Sequence, residues 1–237
     1  MQTLNYRAEG LRRDVAIIAL VQRHSVITSD LIQLALTREH LDLPGQSTAL
    51  LKRLATLADR GYFHRLGRSR TGHIAYGLRR PRKGVQAQIE HDLIGSRFGV
   101  HLDIAVANRD MAVANLVGDR KELEALSRKE EWHFVPDAIF TLQDVCYFCE
   151  WDNNTEGDDK ILSKIEAYKS YVRRERQRKD ILEKLGEKVN TFFRVLWITT
   201  SENRAEKLVA FFEGNLHRVI SETKYAGNAE EVLRFIL

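Results

Sequence analysis

Residues 132 to 171 narrow the fold more than any other stretch. Two short apolar and aromatic runs, one carrying Pro136-Asp137 and the other Glu150-Trp151-Asp152, predict a β-hairpin. A helical pattern over residues 158 to 178 follows, with Ile161, Ile165, Tyr168 and Val172 as its buried stripe and Lys164 on the flank. A four-residue loop from Thr141 to Asp144 sets Phe140 against Val145 and Asp137 against Phe148. Asp137 then lies diagonal to Glu150, on the face that Phe148, Glu150 and Asp152 share. Their β-carbons would be roughly 7 Å apart or less, so the two carboxylates could hold a divalent cation between them.

With 237 residues, 43% of them hydrophobic, the chain can build one large core or two modest ones. No apolar run approaches the ~18 residues of a membrane span, and Met1 to Arg13 lacks the apolar stretch of a signal peptide. The expectation is a cytoplasmic protein without membrane contact. Cys146 and Cys149 form a lone C-x-x-C inside a predicted strand, where residues three apart face opposite sides. With no second Cys/His pair nearby, that spacing argues against zinc or redox chemistry. The phosphate-binding lysine loop and the dinucleotide glycine fingerprint are both missing from the sequence.

Charge is unevenly spread. Residues 1 to 84 carry 15 Lys and Arg against 6 Asp and Glu, while the whole chain has a net charge of only +4, so the remainder is net acidic. A small basic region of this kind is drawn to a polyanion, nucleic acid first. Apolar spacing predicts a first helix over Leu11 to Arg23, burying Leu11, Val15, Ile18 and Ala19, and a second capped by Thr28 or Ser29 that buries Leu31, Leu34 and Ala35. A third runs from about Gln46 to Arg60 on Leu50, Leu51, Leu54, Leu57 and Ala58, with Gly61 ending it. Its other face offers Ser47, Thr48, Lys52, Arg53 and Thr56 to a partner. Residues 62 to 78 then read as a hairpin with a basic tip.

Three helices and a basic hairpin in this order resemble the winged helix-turn-helix superfamily. The resemblance implies a third helix entering the major groove of double-stranded DNA, with Ser47, Thr48, Lys52 and Arg53 near the bases. It assigns Arg65, Arg68, Arg70 and His73, in the wing, to phosphates. A winged helix used only for packing or dimerisation is the alternative, and the resemblance is compatible with a homodimer, whose interface nothing in the sequence identifies. Residues 1–79 make up this domain, and the basic, proline-containing segment 80–85 is the expected linker.

The remaining residues, 86–237, predict an α/β domain. Gln86 to Ala107 forms a helix burying Ile89, Leu93, Phe98, Leu102 and Ala105. Ala112 to Val117 could be a strand, and Lys121 to Lys129 is a polar segment without a clear state. After the central hairpin and helix come a strand over Phe192 to Thr199, a helix over Asn203 to Val219 and a short last strand within Val232 to Leu237. Helices then flank a mixed sheet, and the chain is α+β overall.

Pro136-Asp137, Glu150-x-Asp152, Lys164-Ile165-x-x-Tyr168, Leu196-Trp197-Ile198-Thr199-Thr200 and Arg204-Ala205 together resemble the replication-relaxation family of plasmid and mobile-element proteins, which joins a winged helix to a restriction-endonuclease-like domain. The wider PD-(D/E)XK nuclease superfamily holds Mg²⁺ on an Asp and a Glu or Asp of a hairpin, with a lysine two residues later. Asp137 and Glu150 match the metal-binding acids, but Asp152 stands at the lysine position. A carboxylate there could be a further ligand, yet it cannot stabilise an attacking hydroxide. Lys164 could restore that charge from the following helix, and Glu90 could add an outer ligand.

The resemblance therefore implies either Mg²⁺-dependent phosphodiester cleavage by Asp137, Glu150, Asp152 and Lys164, or a regulator of transcription or plasmid replication that keeps the fold without the chemistry. Tyr168 as a covalent nucleophile is disfavoured, because it falls on the buried stripe and no His-x-His cluster accompanies it. The basic run Arg173 to Lys179 suits either a phosphate backbone or the negative end of its helix.

Overall fold

Buried apolar stripes in the N-terminal third draw helices onto a small sheet, and a second run of strands further on builds a larger one. A computed structural model describes residues 2–38, 47–79, 86–109, 111, 113–143, 145–184, 192–212, 216–226 and 228–237. These described residues form a mixed α+β structure with two sheets, and the chain divides into two compact units, Met1–Val100 and His101–Leu237. Among the described residues, no helix is long and apolar enough to cross a membrane.

In the first unit, α1 (Gln2–His24), β1 (Val26–Thr28), α2 (Ser29–Arg38) and α3 (Ser47–Asp59) precede a hairpin of β2 (His64–Arg68) and β3 (Ile74–Gly77). The sheet order is β1-β3-β2, antiparallel throughout. Gly61 ends α3 at φ +82°, the left-handed geometry that glycine adopts without a steric penalty. At Gly77 a β-carbon would lie 2.7 Å from the Ser25 carbonyl, so β3 can finish beside β1 only without a side chain.

The buried stripe of α1 differs from the expected one. Leu11 and Val15 are 66% and 60% exposed, and the inward face is Asp14, Ile17 and Val21. The physical reason is an ion pair: Arg53 of α3 grips the Asp14 carboxylate, with Nε 2.6 Å from Oδ1, which pins a polar residue at an inward position. Since apolar residues ring the helix from Val15 to Val21, their spacing alone picks no face. In α2, Ile32 and Leu36 are buried where Leu34 was expected, and Leu34 is 37% exposed. Ile17→Ala should lower folding stability by about 2–5 kcal/mol and Leu11→Ala by less than about 0.5 kcal/mol, read from urea unfolding.

The next helix, α4 (Gln86–Ala107), has the expected limits, and its five predicted core residues are buried. Its first half belongs to the first unit. Ile89 and Leu93 cluster with Val26, Ala75 and Leu66, and the Ser96 hydroxyl donates to the Val26 carbonyl. The compact units therefore divide inside α4 rather than at the expected linker, and residues 80–85 lie outside the described residues.

The second unit adds β4 (Ala114–Val117), α5 (Arg120–Lys129), β5 (Ala138–Leu142), β6 (Val145–Asp152), α6 (Asp158–Lys184), β7 (Phe192–Thr199), α7 (Glu202–Val209), β8 (His217–Ser221), α8 (Glu222–Tyr225) and α9 (Glu230–Ile236). Its sheet runs β4-β5-β6-β7-β8. The first three strands form an antiparallel meander, and β7 and β8 add parallel to β6. The helix expected over residues 203–219 stops at Val209. Val219 and Ile220 then pair with β7, as β-branched residues do readily. The expected last strand is instead α9, where Val232, Leu233 and Ile236 are buried at helical spacing behind an acidic first turn.

The central hairpin is tighter than its sequence suggests. Leu142 pairs with Val145, Phe140 with Tyr147 and Ala138 with Cys149. Gln143 takes φ 48°, as a two-residue connection requires, whereas a four-residue loop had been expected. Just beyond β5 the ladder leaves this register, because the Asp137 N–H bonds the Cys149 carbonyl. Within the ladder the slip of two residues leaves the facing pattern unchanged, and Asp137 remains an electrostatic neighbour of Glu150.

Candidate functional site

The residues that the sequence brings into question fall into two groups, one in each unit. In the second unit, Asp137 is bound into the hairpin by its own backbone: its N–H donates to the Cys149 carbonyl at 2.8 Å, and its Oδ2 accepts the Trp151 N–H at 2.8 Å. Glu150 is buried in β6. Both of its oxygens are engaged from α6, where Lys164 and Tyr168, one turn apart, meet the same strand. Lys164 Nζ lies 2.7 Å from Oε2, and the Tyr168 hydroxyl donates to Oε1 at 2.5 Å. Lys164 also lies 5.9 Å from the centre of the Trp197 ring.

Glu156, which the sequence reading did not single out, completes this group. It accepts from Lys164 at 3.0 Å and from Lys160 at 2.5 Å. The available signal was spacing, since Glu156, Lys160 and Lys164 follow at intervals of four, although Glu156 precedes the helix itself.

Electrostatics follow from burial. Glu150 is pushed up to about 7 by loss of water and by the neighbouring Asp137 carboxylate, against the pull of Lys164 and Tyr168. Burial works against the Lys164 ammonium, but Glu150 and Glu156 outweigh it and raise its affinity for its proton. Tyr168 is raised well above a free phenol by burial and by Glu150, so it remains a donor to the carboxylate rather than an ionised nucleophile. Burial also pushes the Cys146 thiol up to about 11 and raises Cys149 well above its usual value, so neither carries thiolate at neutral pH.

Two acids expected near this centre are engaged elsewhere. Asp152 is buried against Arg204 of α7, whose Nε and Nη2 reach its oxygens at 2.6 and 3.2 Å, and the Thr199 hydroxyl adds a bond at 3.3 Å. Glu90 belongs to the first unit, where it accepts the Arg70 N–H at 2.8 Å and Gln86 Nε2 at 3.2 Å. Its carboxylate fixes the turn of the β2–β3 hairpin.

Among the described residues, no group of three or more His, Cys, Asp and Glu side chains is arranged to hold a metal ion. Asp137, just before β5, and Glu150 in β6 provide two neighbouring carboxylates. Such a set suits Mg²⁺ better than zinc or calcium, because Mg²⁺ commonly keeps several waters and takes only one or two protein carboxylates.

In the first unit, Thr48, Lys52, Arg65, Arg68, Arg70 and His73 are exposed. Ser47 opens α3, but its side chain lies outside the described residues. Arg53 differs from this group, because its guanidinium is paired with Asp14. Arg68 Nη1 bonds the Gly72 carbonyl at 2.6 Å, and His73 Nε2 lies 3.8 Å from the Asp30 carboxylate. In the basic run of α6, Arg174 bonds the carbonyls of Glu130 and Glu131 while Arg173 and Arg176 are exposed; the side chains of residues 177–179 lie outside the described residues.

Comparisons with protein-family models, with curated proteins and with solved structures found no match to this chain.

Proposed function

We propose that this chain is a double-stranded DNA-binding protein of the mobile-element type, with a winged helix in its first unit and a nuclease-like domain performing Mg²⁺-dependent phosphodiester cleavage in its second. The observation that carries this reading is the group made by Asp137, Glu150 and Lys164, with the ammonium 2.7 Å from the Glu150 carboxylate at the end of a β-hairpin. Two antiparallel pairings followed by a helix and a parallel strand, with Glu150 and Asp152 on the middle strand and Asp137 just before its neighbour, also suit a restriction-endonuclease-like sheet. The helix order and the exposed cations of the β2–β3 hairpin favour a DNA-facing wing.

In this reading Asp137 and Glu150 hold the metal, and Tyr168 orients Glu150. Mg²⁺, when bound, polarises the phosphoryl group and activates a water. Lys164 supplies positive charge against the charge developing on phosphorus. Arg65, Arg68, Arg70 and His73 anchor the duplex backbone, while Thr48 and Lys52 approach the groove.

A second reading, a non-catalytic regulator of transcription or replication, is favoured by one observation. Both Glu150 oxygens already have protein partners, and Asp152 is held by Arg204. Supercoiled plasmid incubated with the protein and Mg²⁺ separates the two readings. Nicking or linearisation that disappears in Asp137→Ala and in EDTA is the expected result; retardation without cleavage, equal in wild type and variant, favours the regulator. Arg68→Ala with Arg70→Ala should weaken duplex binding and make the slope of log affinity against log salt shallower by roughly 2. Unchanged binding across salt concentrations would remove the wing assignment.

A further inference from the structure

Lys164 is held by two carboxylates at once. Its Nζ is 2.7 Å from Glu150 Oε2 and 3.0 Å from Glu156, bridging a fully buried acid and one that is 18% exposed. A divalent cation seated between Asp137 and Glu150 would meet this ammonium at close range, and like charges at that distance repel strongly in a partly buried site. The lysine stem is flexible and 23% exposed, so the ammonium can move while its Cα stays in α6. Without a second acceptor it would be left partly buried and unpaired, which is costly. Glu156 is already within hydrogen-bond distance.

We propose that Lys164 is the resident counter-cation of Glu150 in the metal-free protein and that Glu156 is the positioning residue that receives the ammonium when a divalent cation takes its place. This rests on the metal-binding reading of Asp137 and Glu150. It gives Glu156 a role exerted wholly through Lys164, and it frees the Glu150 oxygen that Lys164 holds while Tyr168 keeps its bond to the other. Lys160, 2.5 Å from the same carboxylate, holds Glu156 in position for the transfer.

The test is a double-mutant cycle read by calorimetric Mn²⁺ binding to the full chain, without DNA, at one pH above neutrality. Glu156→Gln should weaken Mn²⁺ binding about tenfold when Lys164 is present and by less than about twofold in a Lys164→Gln background, while Lys164→Gln alone binds more tightly than wild type. Equal losses in both backgrounds would mean that Glu156 acts on the ion directly, and the inference fails. If neither wild type nor Lys164→Gln binds Mn²⁺, or Asp137→Asn leaves binding unchanged, the metal reading itself is wrong and the inference falls with it. A second measurement needs no substitution: titrating Mg²⁺ into ¹⁵N-labelled wild type should shift the Lys164 ammonium resonance and keep it slow to exchange. An unmoved resonance at saturating Mg²⁺ overturns the transfer.

Discussion

Asp152→Ala is expected to cost roughly 3–5 kcal/mol of folding stability, among the largest losses that one exchange in this chain should cause. Arg204 and Asp152 are 8% and 2% exposed, and the substitution strips a buried guanidinium of both carboxylate oxygens. The Glu156 carbonyl at 3.0 Å is then the main acceptor left to it. Removing one member of a buried pair is worse than never having built the pair, because the remaining charge has given up its water. Asp152→Leu combined with Arg204→Met should therefore recover most of the loss.

Asp137→Ala removes one accepted N–H bond from Trp151 and should cost about 1 kcal/mol. Midpoints of urea unfolding for the four proteins check the ranking. A loss below about 1 kcal/mol for Asp152→Ala would show that water reaches the pair and would reopen Asp152 as a candidate ligand.

These two acids mark the limit of what could be read from the sequence. Elements with strong periodicity and clean ends were legible: α4 and β7 have the expected limits, and the stripe Ile161, Ile165, Tyr168, Val172 is buried as spaced. Lys164 and Tyr168 were legible for the same reason, since helical spacing puts them on the turn that meets β6. The hairpin register was not, because a two-residue connection and a four-residue one differ by a slip that leaves the facing pattern unchanged.

Long-range polar pairing was hidden more completely. Asp14 with Arg53 and Asp152 with Arg204 join residues 39 and 52 positions apart, and nothing local marks either partner. The first pairing turned α1 away from its expected face. The second took Asp152 out of the site to which its place two residues after Glu150 had assigned it. In the C-terminal segment, short elements of mixed pattern went astray, because seven residues such as Glu230–Ile236 suit a strand or a helix until tertiary packing decides.

Raising the pH should move the balance between wild type and Glu150→Gln against wild type by roughly 3 kcal/mol, mostly between about pH 4.5 and 7. In the unfolded chain Glu150 loses its proton near its usual value of 4.5; in the fold, burial and Asp137 hold the proton until about 7. Throughout that window the folded protein carries a proton that the unfolded chain lacks, so each rise in pH favours unfolding, and above about 7 the difference levels off. Other groups titrate in the same range with the opposite sign. His24 and His217, held down to about 4 chiefly by burial, favour the folded state increasingly as pH rises toward 6.5. Those terms are common to both proteins and cancel in the difference, which is why the comparison is made against Glu150→Gln rather than on wild type alone. The measurement is urea unfolding of both proteins across this pH range, with EDTA and again with saturating Mg²⁺. A cation on Asp137 and Glu150 competes with the proton, so Mg²⁺ should flatten the profile. A flat difference in EDTA would instead mean that Lys164 outweighs burial and Asp137, leaving Glu150 ionised throughout.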